Sequence, residues 1–171
     1  AAALPLFAAC TTMPAEPTGA EDWHDVPLRG KGRMVYRWEL MPEGRVLVAQ
    51  AIARYGRIDI LINNASTFYP TPVGSITAAQ FDDLIGTNLR APLFLSQAAA
   101  PALRETRGLI INMVDIHARR PLRAHPVYSA AKAGLVMLTK SLARELGPDV
   151  RVNGIAPGPV LTEMAKQVHS T

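Results

Sequence analysis

The chain has 171 residues, 49% of them apolar and 19% charged, which is enough for the core of one domain of ordinary size and too little for two catalytic domains. Its net charge of +4 is diffuse, with five basic against six acidic side chains in residues 1–45 and thirteen against eight beyond, and aromatics make up only 6%. A basic stripe with interleaved aromatics is therefore lacking, and no nucleic-acid partner is expected. The single cysteine, Cys10, can form neither an internal disulfide nor a cysteine-type zinc site.

Residues 1–9 are apolar and run into Phe7-Ala8-Ala9-Cys10, which resembles the end of a bacterial lipoprotein signal but has no initiator Met and no basic stretch before it. A flexible leader is the simpler expectation, and membrane attachment is expected only if Cys10 carries a lipid. No apolar run reaches the roughly 18 residues of a spanning helix, so a cytoplasmic protein is expected. Residues 11–22 have the Thr, Pro, Glu and Gly content of a linker. Residues 33–40, a turn at 41–44, and residues 45–48 read as a β-hairpin. A competing reading makes residues 46–55 a helix, because Val46, Ala49, Ile52 and Ala53 recur at helical spacing.

From Arg54 onward strand and helix signals alternate, the pattern of a parallel α/β sheet. Ile58-Asp59-Ile60-Leu61-Ile62 is a short apolar run expected as a strand buried on both faces. Thr77-Ala78-Ala79-Gln80 is a capping box that opens a long helix through Phe81, Leu84, Ile85, Leu89 and Leu93, with a bend expected at Pro92. Residues 108–113 form a second buried strand, residues 127–146 a second helix closed by Gly147-Pro148, and residues 150–156 a third strand. Together they predict a partial Rossmann-like, doubly wound parallel sheet, preceded by an unrelated leader and hairpin in residues 1–45.

Tyr128 and Lys132 stand four apart on the second helix and share one face. A tyrosine that donates a proton near neutral pH must have its pKa of about 10 brought down, and a neighbouring ammonium does that by stabilising the phenolate. Taken alone, this spacing equally describes a half-exposed surface pair.

The surroundings add to it. Asn63-Asn64-Ala65 follows the first strand, Asn88 lies mid-helix, Tyr128-Ser129-Ala130-Ala131-Lys132 opens the next helix, and Pro157-Gly158-Pro159-Val160-Leu161-Thr162 follows the last strand. In this order they resemble the short-chain dehydrogenase/reductase family over residues 46–164. The resemblance implies a nicotinamide-dependent oxidoreductase in which Tyr128 is the catalytic acid/base, Lys132 holds the nicotinamide ribose and lowers the Tyr128 pKa, and Asn88 anchors a water in the proton relay. It implies cofactor contacts from Asn63, Asn64, Ala65 and Ser66 on the adenosine side and from Pro157, Gly158 and Thr162 beside the nicotinamide. It also implies a homo-oligomer that pairs subunits through the two long helices.

One position departs from the family pattern. Thirteen residues before the tyrosine, where the family usually has a serine that bonds a substrate carbonyl, this chain has Asp115. Asp115, with Asn64-Ala65-Ser66-Thr67-Phe68-Tyr69-Pro70 and Val114-Asp115-Ile116-His117-Ala118, resembles the pteridine reductase branch. That resemblance implies a pterin or folate substrate with Phe68 stacked on its ring and Asp115 at its nitrogens. A flat heteroaromatic ring gains from offset stacking, and a carboxyl can bind or protonate ring nitrogens. The bland alternatives are a loop aromatic packed on the core for Phe68 and a strand-end cap for Asp115. Arg119, Arg120 and Arg123 with His117 and His125 read as a solvated loop, or as a receiver for an anionic substrate tail. Ser129 is no nucleophile, since no Gly-x-Ser-x-Gly elbow surrounds it.

A dinucleotide fold also needs a first strand and a glycine-rich turn leading into a helix, and residues 1–45 supply no such unit. Gly30-Lys31-Gly32-Arg33 has no following helix. Exposed apolar sheet edges are therefore expected, and residues 1–45 look foreign to the reductase part. NADPH is expected from the pteridine reductase resemblance, and NADH stays open because the residue that would choose belongs to the missing half. Two further readings remain: a non-catalytic remnant serving as a dimerisation partner, and an ordinary carbonyl or acyl-carrier reductase, which Asp115 and Phe68 disfavour.

Overall fold

Short aliphatic runs separated by amphipathic stretches fold into parallel strands joined by helices. The computed structural model describes residues 45–157 and, before them, the backbone of three strands, β1 (Pro5–Ala8), β2 (His24–Pro27) and β3 (Arg33–Tyr36). Cys10, Gly158 and Thr162 lie outside the described residues, and so does the lipidation reading. Then follow α1 (Arg45–Tyr55), β4 (Ile60–Asn63), α2 (Ala78–Ile85), a π-helical segment (Gly86–Arg90), α3 (Ala91–Thr106), β5 (Leu109–Met113), a 3-10 turn (Ile116–Ala118), α4 (Pro126–Leu146) and β6 (Arg151–Ile155).

Strands β1, β4, β5 and β6 form one parallel sheet in that order, with Leu61 opposite Ile110 and Ile110 opposite Val152. This matches the 1-4-5-6 run of the 3-2-1-4-5-6 dinucleotide-binding arrangement. Part of the expected leader thus takes the place of the first strand and covers the β4 edge that was expected to be exposed. The expected hairpin also differs. Residues 33–36 pair antiparallel with residues 24–27, and residues 45–55 form the competing helix. Helical geometry explains that outcome, because it puts Leu47, Val48 and Ala51 on one buried stripe, which a strand cannot do.

The sheet is not equally buried on its two faces. Leu61, Ile110 and Val152 are buried with Leu47, Leu95, Leu103 and Leu142 in one cluster, whereas Ile60, Ile62, Leu109 and Ile111 on the other face are only half-buried among the described residues. Right-handed crossovers that step from β4 to β5 to β6 in one direction place their helices on a single face. Each large aliphatic side chain in that cluster contributes about 1.5–3 kcal/mol on burial.

The capping box forms as expected, with Thr77 Oγ1 accepting from the Gln80 amide at 3.2 Å and Gln80 Oε1 from the Thr77 amide at 3.0 Å. The single long helix does not: α2 widens into the π segment, where the Ala91 amide reaches back to the Gly86 carbonyl, before α3 begins. Pro92 has no N–H to give, and the wide turn directly before it absorbs the distortion. At its far end α3 closes on Arg107 in the left-handed region (φ 50), followed by Gly108, which packs against Leu103 and the Asp59 carbonyl.

These neighbours should respond oppositely to substitution. Gly108→Ala should cost about 1–3 kcal/mol, because its Cβ would collide with the Asp59 carbonyl oxygen and lie 2.8 Å from Leu103. Arg107→Gly, in a backbone conformation that suits glycine, should be neutral or stabilising. Urea unfolding of both variants checks the contrast.

Candidate active site

The carboxyl ends of the parallel strands bring the chemically loaded residues together. Two residues past β5, Asp115 uses its two oxygens separately: Oδ1 accepts from the His117 amide at 2.9 Å, and Oδ2 accepts from the Tyr128 hydroxyl at 2.7 Å. It is therefore both the strand-end cap and the partner of the tyrosine. Tyr128 lies in the first turn of α4, where Pro126 is tolerated because no intrahelical N–H is needed there. One turn on, the Lys132 ammonium donates to the Met113 carbonyl at 2.9 Å and lies 5.6 Å from the centre of the Tyr128 ring. Tyr128 and Lys132 are 4% and 3% exposed, so both polar ends depend on these partners.

Asn88 sits in the π segment with no exposed surface. Its amide donates to the Leu84 carbonyl at 2.9 Å and the Thr67 carbonyl at 3.0 Å, and its oxygen accepts from the Ser66 hydroxyl at 2.6 Å. Asn63 ends β4 and donates to Asn112 at 2.7 Å, while its own Oδ1 is buried without a partner among the described residues. Asn64 and Ala65 lead from there, half-buried, to Ser66. Phe68 meets the Tyr128 ring edge-on at 4.8 Å and packs on the small cluster of Leu84, Val127 and Tyr128. It also lines a groove of about 860 Å³ with Asp115, His117, Arg119, Asn153 and Pro157.

The electrostatics differ from the sequence expectation. Burial, then the hydrogen bond and charge of Asp115, raise the Tyr128 pKa well above its usual value, with Ser66 opposing. The net shift is upward, opposite to the lowered Tyr128 pKa that the sequence implied, because burial and the Asp115 carboxylate both favour the neutral phenol. Lys132 itself is lowered from 10.5 to about 8 by burial, against the pull of Asp115. His125 departs from the solvated loop that the sequence implied: its ring stacks on Phe68 at 4.7 Å and 10°. Its position at the cap of the helix, three residues before Tyr128, was the available signal.

The structure thus gathers Asp115, Tyr128, Lys132, Asn88, Ser66 and Phe68 around one point, with Asn63 at the neighbouring strand end and Pro157 on the groove wall. The short chain dehydrogenase family model matches residues 41–171. The chain belongs to this family. The probable galactose dehydrogenase of Rhizobium meliloti (strain 1021) is 38% identical over 129 residues, covering 74% of this chain and 50% of that protein. Pteridine reductase 1 of Leishmania tarentolae is 39% identical over 137 residues, covering 66% of this chain and 46% of that protein. Among solved structures, acetoin dehydrogenase from Enterobacter cloacae superposes with a TM-score of 0.71 at 31% identity, covering 81% of this chain and 57% of that one. The chain spans about half the length of the curated relatives it matches. Short-chain enzymes are oxidoreductases that use NAD(P), and this chain carries that family's fold.

The charge pattern predicts a pH response. The folded chain releases the Lys132 proton near pH 8 and the unfolded chain near 10.5, so this group adds stability as pH rises across that window and loses it as pH falls through 8. Asp115→Asn removes the charge that holds the Lys132 pKa up, and should move its midpoint below 8 and let Tyr128 ionise at lower pH. The lysine Cε chemical shift, followed against pH in wild type and variant, measures the change.

Proposed function

We propose that the protein is a nicotinamide-dependent reductase whose substrate is a flat nitrogenous ring of the pterin or dihydrofolate type. One observation carries this reading: the Tyr128 hydroxyl rests on the Asp115 carboxylate at 2.7 Å, where the family commonly has a neutral serine. A carboxylate there opposes the electron-rich oxygen of a ketone but accepts hydrogen bonds from ring N–H and amino groups. Phe68, edge-on to Tyr128 and open to the groove, offers a stacking surface beside that carboxylate. The similarity to pteridine reductase 1 supports the assignment. The sugar and acetoin dehydrogenases among the relatives favour a second reading, in which a hydroxy or keto substrate takes the same place.

The residues fit the nicotinamide-ribose end of the cofactor, with a buried ammonium at Lys132 and the Tyr128 phenol beside it. In these folds such cofactors lie outside the carboxyl ends of the parallel strands, where the strand order reverses beside the first strand. Reduced nicotinamide, when bound, supplies hydride to the substrate. Tyr128 and Asp115 share one proton at 2.7 Å and deliver it to the ring nitrogen, and the Lys132 charge offsets the negative charge left on the pair. Ser66, whose hydroxyl donates to Asn88, is the neutral group that opposes Asp115 at the phenol. NADPH is assigned over NADH on the pteridine reductase likeness, and Gly158 and Thr162 are assigned to the nicotinamide side on the family motif. Subunit pairing through α3 and α4, where Leu93 and Met137 are exposed, belongs to the same reading.

The sequence has no Gly-x-Gly-x-x-Gly run to hold a pyrophosphate, so the 171-residue chain should bind NADPH weakly. A low-micromolar Kd by calorimetry would contradict that. Residues 46–164 joined to the N-terminal half and C-terminal segment of a family reductase should reduce dihydropterin in preference to simple ketones. In that chimera Tyr128→Phe should abolish turnover with cofactor binding nearly intact, and Asp115→Ser should depress pterin reduction more than ketone reduction. Equal turnover across pterin and ketones would favour the second reading.

A further inference from the structure

The loop between Asp115 and Tyr128 is built around a three-ring contact that the proton-transfer residues do not account for. His125 stacks on Phe68 with ring centres 4.7 Å apart and planes within 10°, and Phe68 in turn meets Tyr128 edge-on. The imidazole is also fixed at its edge, where Nδ1–H donates to the Arg123 carbonyl at 2.8 Å. The backbone before it is held too: Ala124 adopts a left-handed conformation (φ 61), and its carbonyl accepts from the amide of fully buried Thr71 at 2.6 Å. A non-glycine residue persists in that conformation only where the surrounding contacts over-determine it, as they do at this corner. Phe68 lines the groove that contains Asp115, and His125 does not. The phenyl ring therefore stands between the imidazole and the groove, with one face already occupied.

We propose that His125 is a positioning residue that backs Phe68, locking its ring at the angle that presents a flat aromatic wall to the groove beside Asp115 and so selecting planar ring substrates over non-planar ones. The inference deepens the reading above, since it rests on Phe68 touching substrate. It requires a planar ring and not a pterin in particular. Without the imidazole, Phe68 is free to turn about χ1 and χ2, and a ligand must meet the cost of ordering it. An aromatic stack contributes about 0.5–1.5 kcal/mol, so loss of the backing ring should weaken planar ligands about fivefold.

The test uses the full 171-residue chain with excess NADPH and three probes, namely pterin, quinoline and cyclohexanone, with affinities read by ligand-observed NMR titration. Wild type should bind both flat bicycles more tightly than cyclohexanone. His125→Ala should weaken pterin and quinoline about fivefold and leave cyclohexanone unchanged, His125→Phe should restore the flat ligands, and His125→Leu should not. Thermal unfolding of each variant separates a lost fold from a lost wall. The inference is overturned if wild type does not prefer the flat bicycles, if His125→Ala binds them within twofold of wild type, or if His125→Leu rescues as well as His125→Phe. Quinoline and pterin binding equally well, and both responding to His125→Ala, would uphold the role of His125 and count against the pterin reading. Tight pterin binding that ignores His125→Ala would do the reverse.

Discussion

A row of buried amides and hydroxyls holds the site end of the sheet against its helices. Asn63 on β4 donates to Asn112 on β5 at 2.7 Å and to Ser96 on α3 at 3.3 Å, and Asn112 donates to Thr139 on α4 at 2.9 Å. The row closes where Thr139 donates to the Leu135 carbonyl at 2.7 Å. Asn63 and Asn112 are direct register partners on the buried face, where the rows below them are Leu61, Ile110 and Val152. Polar side chains in that position are costly unless each finds its partner, and each bond in the row depends on the next. Because β5 runs straight on to Asp115 and α4 carries Tyr128, the placement of α4 against β5 also fixes the distance between those two side chains.

Asp115 then organises the charges. It caps the turn that follows the strand and accepts the Tyr128 hydroxyl's hydrogen bond with its second oxygen, and its charge pushes both the Tyr128 and the Lys132 pKa upward, against burial in the case of Lys132. Burial acts on the two in opposite senses, because the charged form is the phenolate in one and the ammonium in the other. A tyrosine held protonated beside a lysine that titrates near 8 is a different starting point from a phenol activated by its lysine alone. The neutral side of the site depends on the π segment, whose wide turn carries Asn88 inward to meet Ser66 and the Thr67 carbonyl. Such turns are frequent at functional sites.

The elements most legible in the sequence were those set by local chemistry. The apolar runs at 58–62 and 108–113, the Thr77 capping box and the period of α4 mark strands and helices through side-chain spacing and backbone caps, which act within a few residues. The order of Asn63, Asn88, Tyr128 and Lys132 along those elements identified the family, and Asp115 marked the departure within it. What stayed hidden depends on partners far away in the chain. Residues 45–55 satisfy both strand and helix patterns, and packing of Leu47, Val48 and Ala51 against the sheet and α3 decided between them. Residues 5–8 read as a leader because an apolar tetrapeptide carries no mark of the strand it will pair with. The sign of the Tyr128 shift and the stacking of His125 on Phe68 were decided by tertiary structure, since burial and ring contacts across a gap of 57 residues have no local pattern in the sequence.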